Sequence, residues 1–249
     1  MPVLLYEKRN QIAYITLNRP DSLNAFNNEL IEALGNAFVD YRDDPSLLVA
    51  IMSGTGRAFS TGADLKEMTS EGQHAGTRPL RTSLREQVWK PIIAAIDGYA
   101  LAGGFGMALD CDIRLATERS RLGDVETRVS AWGNMNILGM VPLGEALHMI
   151  LTGTNISAEE AYRMGLVHKV LPDRDSLIRE AEAIAEQIKL CAPLAVQAVR
   201  RIAYARFMLP PNEIQELTQT LRKEVSQTED AKEGPRAFAE KRKPVWKMR

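Results

Sequence analysis

Short apolar runs alternate with amphipathic helical stretches through the first half of the chain, and each run is of strand length rather than helix length. A chain written this way folds as β/α units, with strands buried in a sheet and helices covering it. Ile12 to Leu17 reads as a strand, stopped by Asn18-Arg19-Pro20. A helix follows in which Leu30, Leu34, Ala37, Phe38 and Tyr41 recur at three- and four-residue steps, placing one apolar stripe toward a core. Asp43-Asp44-Pro45 ends it. Leu47 to Met52, Ile92 to Ile96 and Ile113 to Ala116 are three further strands. The second half is mostly helical: Ser157 to Glu160 has the form of a capping box, and helices are expected over 176–190, 193–207 and 213–226, with Pro193 at a helix start and Pro210-Pro211 as a break. Residues 69–85 are polar and glycine-containing, and they read as a mobile loop or lid.

A length of 249 residues suits one large globular domain, or one domain with a small appendage. Thirty-one basic residues against 32 acidic ones give a formal charge of −1, so no global field favours nucleic acid or a membrane surface. A substrate has to be recognised locally. Cys111 and Cys191 make no disulfide framework, and no Cys/His cluster has metal-ligand spacing, so neither a metal nor another cofactor is expected. No run reaches the ~18 apolar residues of a membrane span, and the opening MPVLLYEKRNQ has no basic region ahead of its short apolar run. A cytoplasmic protein is the expectation.

Two turns place glycine where a strand hands over to a helix. One runs from Gly54 through Gly62 to Asp64; the other runs from Gly98 to Gly103 and Gly104. The first amides of a helix lack partners and carry the positive end of its dipole, so a carbonyl oxygen gaining negative charge can be held there. Two such donors on one oxygen make an oxyanion hole, although plain structural turns use the same residues. Gly104 and Gly106 do not open a dinucleotide loop, because the third glycine position is Leu109.

The chain resembles the enoyl-CoA hydratase/isomerase family, the crotonase superfamily. The resemblance is carried by Asn18-Arg19-Pro20 with Asn24-Ala25, by Ala58 to Met68, by Lys90 to Ala100, and by Cys111-Asp112-Ile113. It continues through Leu151-Thr152-Gly153, Ala158 to Ala161, Gly165-Leu166-Val167 and the ending Glu233 to Pro244. It implies an α/β fold, a spiral of repeated ββα units over residues 1–190, followed by a C-terminal helical trimerisation region over 191–249. It also implies an acyl-CoA substrate, with coenzyme A part of that substrate, and a homotrimer or homohexamer. Carried over residue by residue, the two oxyanion donors fall on Ala63 and Gly103. Asp21, Ser22 and Leu23 match positions at the adenine end of the coenzyme. Thr61, Asp64, Leu65 and Lys66 line the pantetheine and acyl channel, with Gly104 beside it. Phe238 and Lys241 match tail positions that close over a nucleotide site, in this subunit or a neighbour.

One departure bears on the reaction. Hydratases of the family carry two glutamates, and here the first falls on Gly106 and the second on Glu126. The stretch after Glu126, Thr127 to Asn136, also lacks the family's proline- and glycine-rich sequence and is shorter. Hydration needs water aimed at Cβ and a proton at Cα. A double-bond shift needs only one base, so Gly106 speaks for an isomerase, while whole-chain resemblance including the tail speaks for a hydratase. Hydratase is the reading adopted, with the isomerase as alternative; a thioester hydrolase and a non-catalytic binding relative stand behind them.

Asp124 would share a face with Glu126 on a strand, although a solvated surface role is the plainer expectation. Trp132 is expected as core or as pocket wall. Lys241, Arg242, Lys243 and Lys247 are expected either in solvent or at coenzyme phosphates. His74, His148 and His168 have no evident acid or nucleophile partner, which disfavours a Ser-His-Asp site.

Overall fold

The computed structural model describes residues 1–70 and 87–249. The chain opens with a hairpin of β1 (Leu4–Arg9) and β2 (Ile12–Leu17), antiparallel and joined by Asn10 and Gln11, both at positive φ. That pair of left-handed residues gives a two-residue turn whose twist suits the flanking strands. Asn27 caps α1 (Asn28–Asp43) by accepting from the Leu30 amide at 3.0 Å, and the five stripe residues expected to face the core are all buried.

Three successive turns of chain then each leave one strand in each of two sheets. The first gives β3 (Val49–Gly54), β4 (Ala58–Ser60) and α2 (Leu65–Ser70). The second gives β5 (Ile92–Ile96), β6 (Tyr99–Leu101) and α3 (Gly103–Asp110). The third gives β7 (Ile113–Thr117), β8 (Arg121–Gly123) and, after two short 3₁₀ turns, α4 (Leu143–Thr152). Then come β9 (Asn155–Ser157), α5 (Ala158–Arg163) and β10 (Lys169–Leu171). The large sheet runs β1-β2-β3-β5-β7-β10 and the small one β4-β6-β8-β9. All neighbours are parallel except β1 with β2 and β8 with β9. This is the spiral of ββα units.

Covering both faces of a parallel sheet buries its central strands wholly, which is why β3 and β5 read as continuous apolar runs. One core lies between the sheets and takes in α1 and α3; the other lies under α6 (Arg174–Lys189) on the outer face of the large sheet. The capping box is present, with Ser157 Oγ accepting from the Glu160 amide and the Glu160 carboxylate accepting from the Ser157 amide at 2.8 Å.

The chain ends in α7 (Pro193–Ala205), α8 (Pro211–Ser226) and α9 (Asp230–Ala239). α7 is pinned to the sheet by Arg200, whose buried guanidinium meets Asp112 at 2.7 Å. The last residues fold back on α9: the amides of Lys247 and Met248 donate to the Asp230 carboxylate. Among the described residues no helix is long and apolar enough to cross a membrane. The expected lid over 69–85 lies outside the described residues, apart from the last two residues of α2.

Candidate functional site

The two glycine turns meet. In the first, Phe26 and Ala63 form a parallel bridge in which the Phe26 amide donates to Gly62 O at 2.7 Å and the Asp64 amide donates to Phe26 O at 3.0 Å. In such a bridge the flanking groups make the bonds and the central N–H, here that of Ala63, faces the other way. Ser60 Oγ holds this loop, donating to Asn24 O at 2.9 Å and accepting from the Gly62 amide at 3.1 Å. In the second turn Ala102 caps α3 at φ 51° and ψ −129°, a backbone conformation costly for a residue with a Cβ. Gly103 follows as the first residue of α3, so its amide has no intrahelical acceptor. Gly62 lies at φ +85°, and a Cβ there would stand 2.7 Å from the Gly103 nitrogen. Gly104 rests just as tightly on the Ser60 carbonyl. Both unengaged amides therefore sit on abutting backbone segments.

The acid lies beyond the end of β8. Asp124 is wholly buried, and Glu126, half-buried, begins a 3₁₀ turn. Burial and the neighbouring Asp124 carboxylate push the Glu126 pKa up to about 8. Asn134 Nδ2 donates to Glu126 Oε2 at 2.9 Å and to Ala102 O at 3.0 Å, linking the acid to the turn that carries Gly103. The Asn134 amide donates to Asp124 Oδ2. Beside this segment an open depression of about 400 Å³ is lined by Thr127, Trp132, Gly133, Met135 and Ile150 among others.

Several expected residues come together here. The Thr61 amide donates to Leu23 O at 3.2 Å, which joins the first loop to the 3₁₀ turn at Pro20–Ser22 that carries Asp21 and Ser22. Asp64 pairs with Arg19 at 3.0 Å; although burial raises its pKa, that guanidinium and nearby backbone amides hold the carboxyl below its usual range. Leu65 and Lys66 are exposed at the start of α2. Phe238 is 88% exposed at the end of α9, and Lys241 just beyond it is exposed as well. Arg242 pairs with Glu233 and Glu240, and Lys247 with Glu229.

Two expectations are corrected. Trp132 is not core: it is 91% exposed on the rim of the depression, while Asn134, two residues on, turns inward to Glu126 and Ala102 O. Asp124 is not a solvated surface acid, since Gly133 and Asn134 close over it and a Cβ on Gly133 would stand 2.8 Å from Oδ2. The functional candidate missed in the sequence is Asn134; Asp124 is visible there beside Glu126, but its burial is not. The one signal for Asn134 is the altered stretch Thr127 to Asn136 in which it lies. His148 is exposed, the His168 amide donates to Arg114 O at 2.7 Å, and His74 lies outside the described residues. Among the described residues no group of three His, Cys, Asp or Glu side chains is placed to hold a metal.

A family model described as enoyl-CoA hydratase/isomerase matches residues 7–249. The chain is 37% identical to (E)-benzylidenesuccinyl-CoA hydratase of Thauera aromatica over 256 residues, covering 99% of each. It is 36% identical to carnitinyl-CoA dehydratase of Salmonella typhi, covering 97% of each. Among solved structures, enoyl-CoA hydratase EchA1 of Mycobacterium marinum superposes with a TM-score of 0.92 at 34% identity, with both chains fully covered.

Proposed function

The chain belongs to the enoyl-CoA hydratase/isomerase family, and from that membership we propose that it adds water to, or removes it from, the 2,3 double bond of an acyl-CoA thioester. The observation that carries this reading is a half-buried Glu126, with its pKa raised to about 8, tied through Asn134 to the turn bearing the free Gly103 amide.

We read the amides of Ala63 and Gly103 as donors to the thioester oxygen. Negative charge builds there as the enolate forms, and a fixed donor in such a place contributes about 3–4 kcal/mol to the transition state. Glu126, protonated at neutral pH, gives its proton to Cα as water bonds to Cβ. The carboxylate left behind takes the proton that the water sheds, so the enzyme ends as it began. Dehydration is the same path reversed and starts from the same protonated acid. Asp21, Ser22 and Leu23 are read as the coenzyme's outer contacts, Thr61, Asp64, Leu65, Lys66 and Gly104 as channel lining, and Trp132 as the rim of the acyl pocket.

Hydratase and dehydratase are the activities named among the relatives, which favours water chemistry over the double-bond shift that Gly106 alone would suggest. Loss of the conjugated thioester absorbance of crotonyl-CoA, with a hydroxyacyl product, is the expected result. Deuterium exchange from heavy water without a hydroxyacyl product would replace hydration by isomerisation, and release of free thiol would indicate hydrolysis.

The chain is further read as a homotrimer, or a pair of trimers, assembled through residues 191–249. Val199, Phe207, Met208 and Phe238 are exposed apolar side chains in that region, and Phe238 and Lys241 would then serve a neighbouring site. Light scattering on the full chain tests this. Two unpaired cysteines support a reducing cytoplasmic compartment.

A further inference from the structure

Position 106 is glycine where a second carboxylate would complete a water-adding pair, and the space above it is filled. A Cβ on Gly106 would collide with Oδ1 of Asn134 and stand 3.0 Å from its Cγ. No side chain fits at 106 while Asn134 holds its place. That place is fixed from several directions. Nδ2 faces Glu126 Oε2 at 2.9 Å, Ala102 O at 3.0 Å and, more distantly, Asp124 Oδ2 at 3.4 Å. All three are acceptors, so the amide can present only its NH₂ to them. The backbone N–H of the same residue donates to Asp124 Oδ2, anchoring the loop to a wholly buried carboxylate.

We propose that Asn134 is the positioning residue of this site, replacing the carboxylate absent at 106 by clamping one oxygen of Glu126 and leaving the other to the substrate. The inference rests on the hydratase reading above. Through Ala102 O the same amide ties the acid to the residue preceding Gly103, so the proton donor and one proposed oxyanion donor keep a fixed separation. Among the described residues the other charged groups around Glu126 are few. Asp124 lies on its own segment, and Arg128 in the same 3₁₀ turn is directed to Thr152 O at 3.3 Å. Glu145 and His148 of α4, which packs on this turn, are exposed.

The experiment uses the full chain and crotonyl-CoA. Asn134→Ala is expected to lower kcat about 10²-fold with KM nearly unchanged, the cost of a misplaced reacting group. It should also move the alkaline limb of the pH profile upward, because the ionised carboxylate loses a donor. Asn134→Asp, which replaces that donor with a third acid, should be no better. Gly106→Glu alone should lower Tm by about 5 °C or more through overpacking, and adding Asn134→Gly should recover the loss. Unchanged kcat and an unmoved alkaline limb in Asn134→Ala overturn the inference, as does a Gly106→Glu protein as stable as the parent. A parent chain that hydrates no thioester overturns the hydratase reading instead; the melting comparison needs no turnover and still decides whether Asn134 excludes a side chain at 106.

Discussion

A Cβ placed on Gly62 would stand 2.7 Å from the backbone nitrogen of Gly103 and 2.9 Å from the Ala102 side chain, so two loops distant in the chain meet here with no room for a side chain at 62. Gly62 also lies at φ +85°, where a side chain is strained whatever room it finds. Gly62→Ala therefore meets both penalties, and it is expected to cost about 1–3 kcal/mol in urea unfolding. Because the strain falls on the Gly103 amide, kcat for thioester hydration should drop more than stability alone explains.

Glu126 supplies a second expectation. With its pKa near 8, the proton that the proposed mechanism delivers to Cα is present at neutral pH and lost above it. The rate should be level below about pH 8 and fall about tenfold per unit above it, in hydration and dehydration alike, since both begin from the protonated acid. Glu126→Gln should remove ~10²–10⁴-fold of the rate and the alkaline limb with it. Stopped assays across pH 6 to about 10 check both. A Glu126→Gln protein with near-parental turnover would take this residue out of the mechanism.

The same group predicts how stability depends on pH. Glu126 holds its proton up to about 8 in the native fold but releases it near 4.5 as an ordinary carboxyl. Between those values the native state carries a proton that the unfolded chain has given up, so this group makes stability fall as pH rises through the window, with no further slope outside it. Glu126→Gln lacks that slope. The difference in Tm between variant and parent should be small near pH 5, grow toward pH 8, and favour the variant.

The strands Ile12–Leu17, Ile92–Ile96 and Ile113–Thr117 and the α1 stripe were legible because burial on one or both faces writes itself into apolar spacing. β1 was not legible. Its turn uses Asn10 and Gln11 at positive φ without a glycine, and its outer half is the charged run Glu7-Lys8-Arg9 that suits an edge. The strands of the small sheet have only three residues each and no period to detect. At the candidate site, both glycine turns are legible because backbone needs show in the sequence, whereas Glu126 was singled out by the family resemblance. Asn134 was not legible, since its relation to Gly106 exists only where two distant segments cross.

Asn24, in the Asn-Arg-Pro motif region that carried the resemblance, turns out to be a structural hub. It is fully buried at φ 56°, its Oδ1 accepts from the Arg19 amide at 2.8 Å, and its Nδ2 donates to Thr55 O at 2.9 Å and Ala58 O at 2.7 Å. One side chain thus satisfies three backbone groups from the turn after β2 and both ends of the β3 to β4 connection. Asn24→Ala leaves them without that partner in a closed interior, and such orphaned groups cost roughly 1–3 kcal/mol each. Asp is no remedy, because a carboxylate cannot donate to the two carbonyls. Both variants should unfold about 2–4 kcal/mol more easily by denaturant titration, with Asp the worse at neutral pH. Because Ser60 Oγ also donates to Asn24 O, loosening should spread to the loop that presents Ala63, and the surviving folded protein should show a raised KM for the thioester.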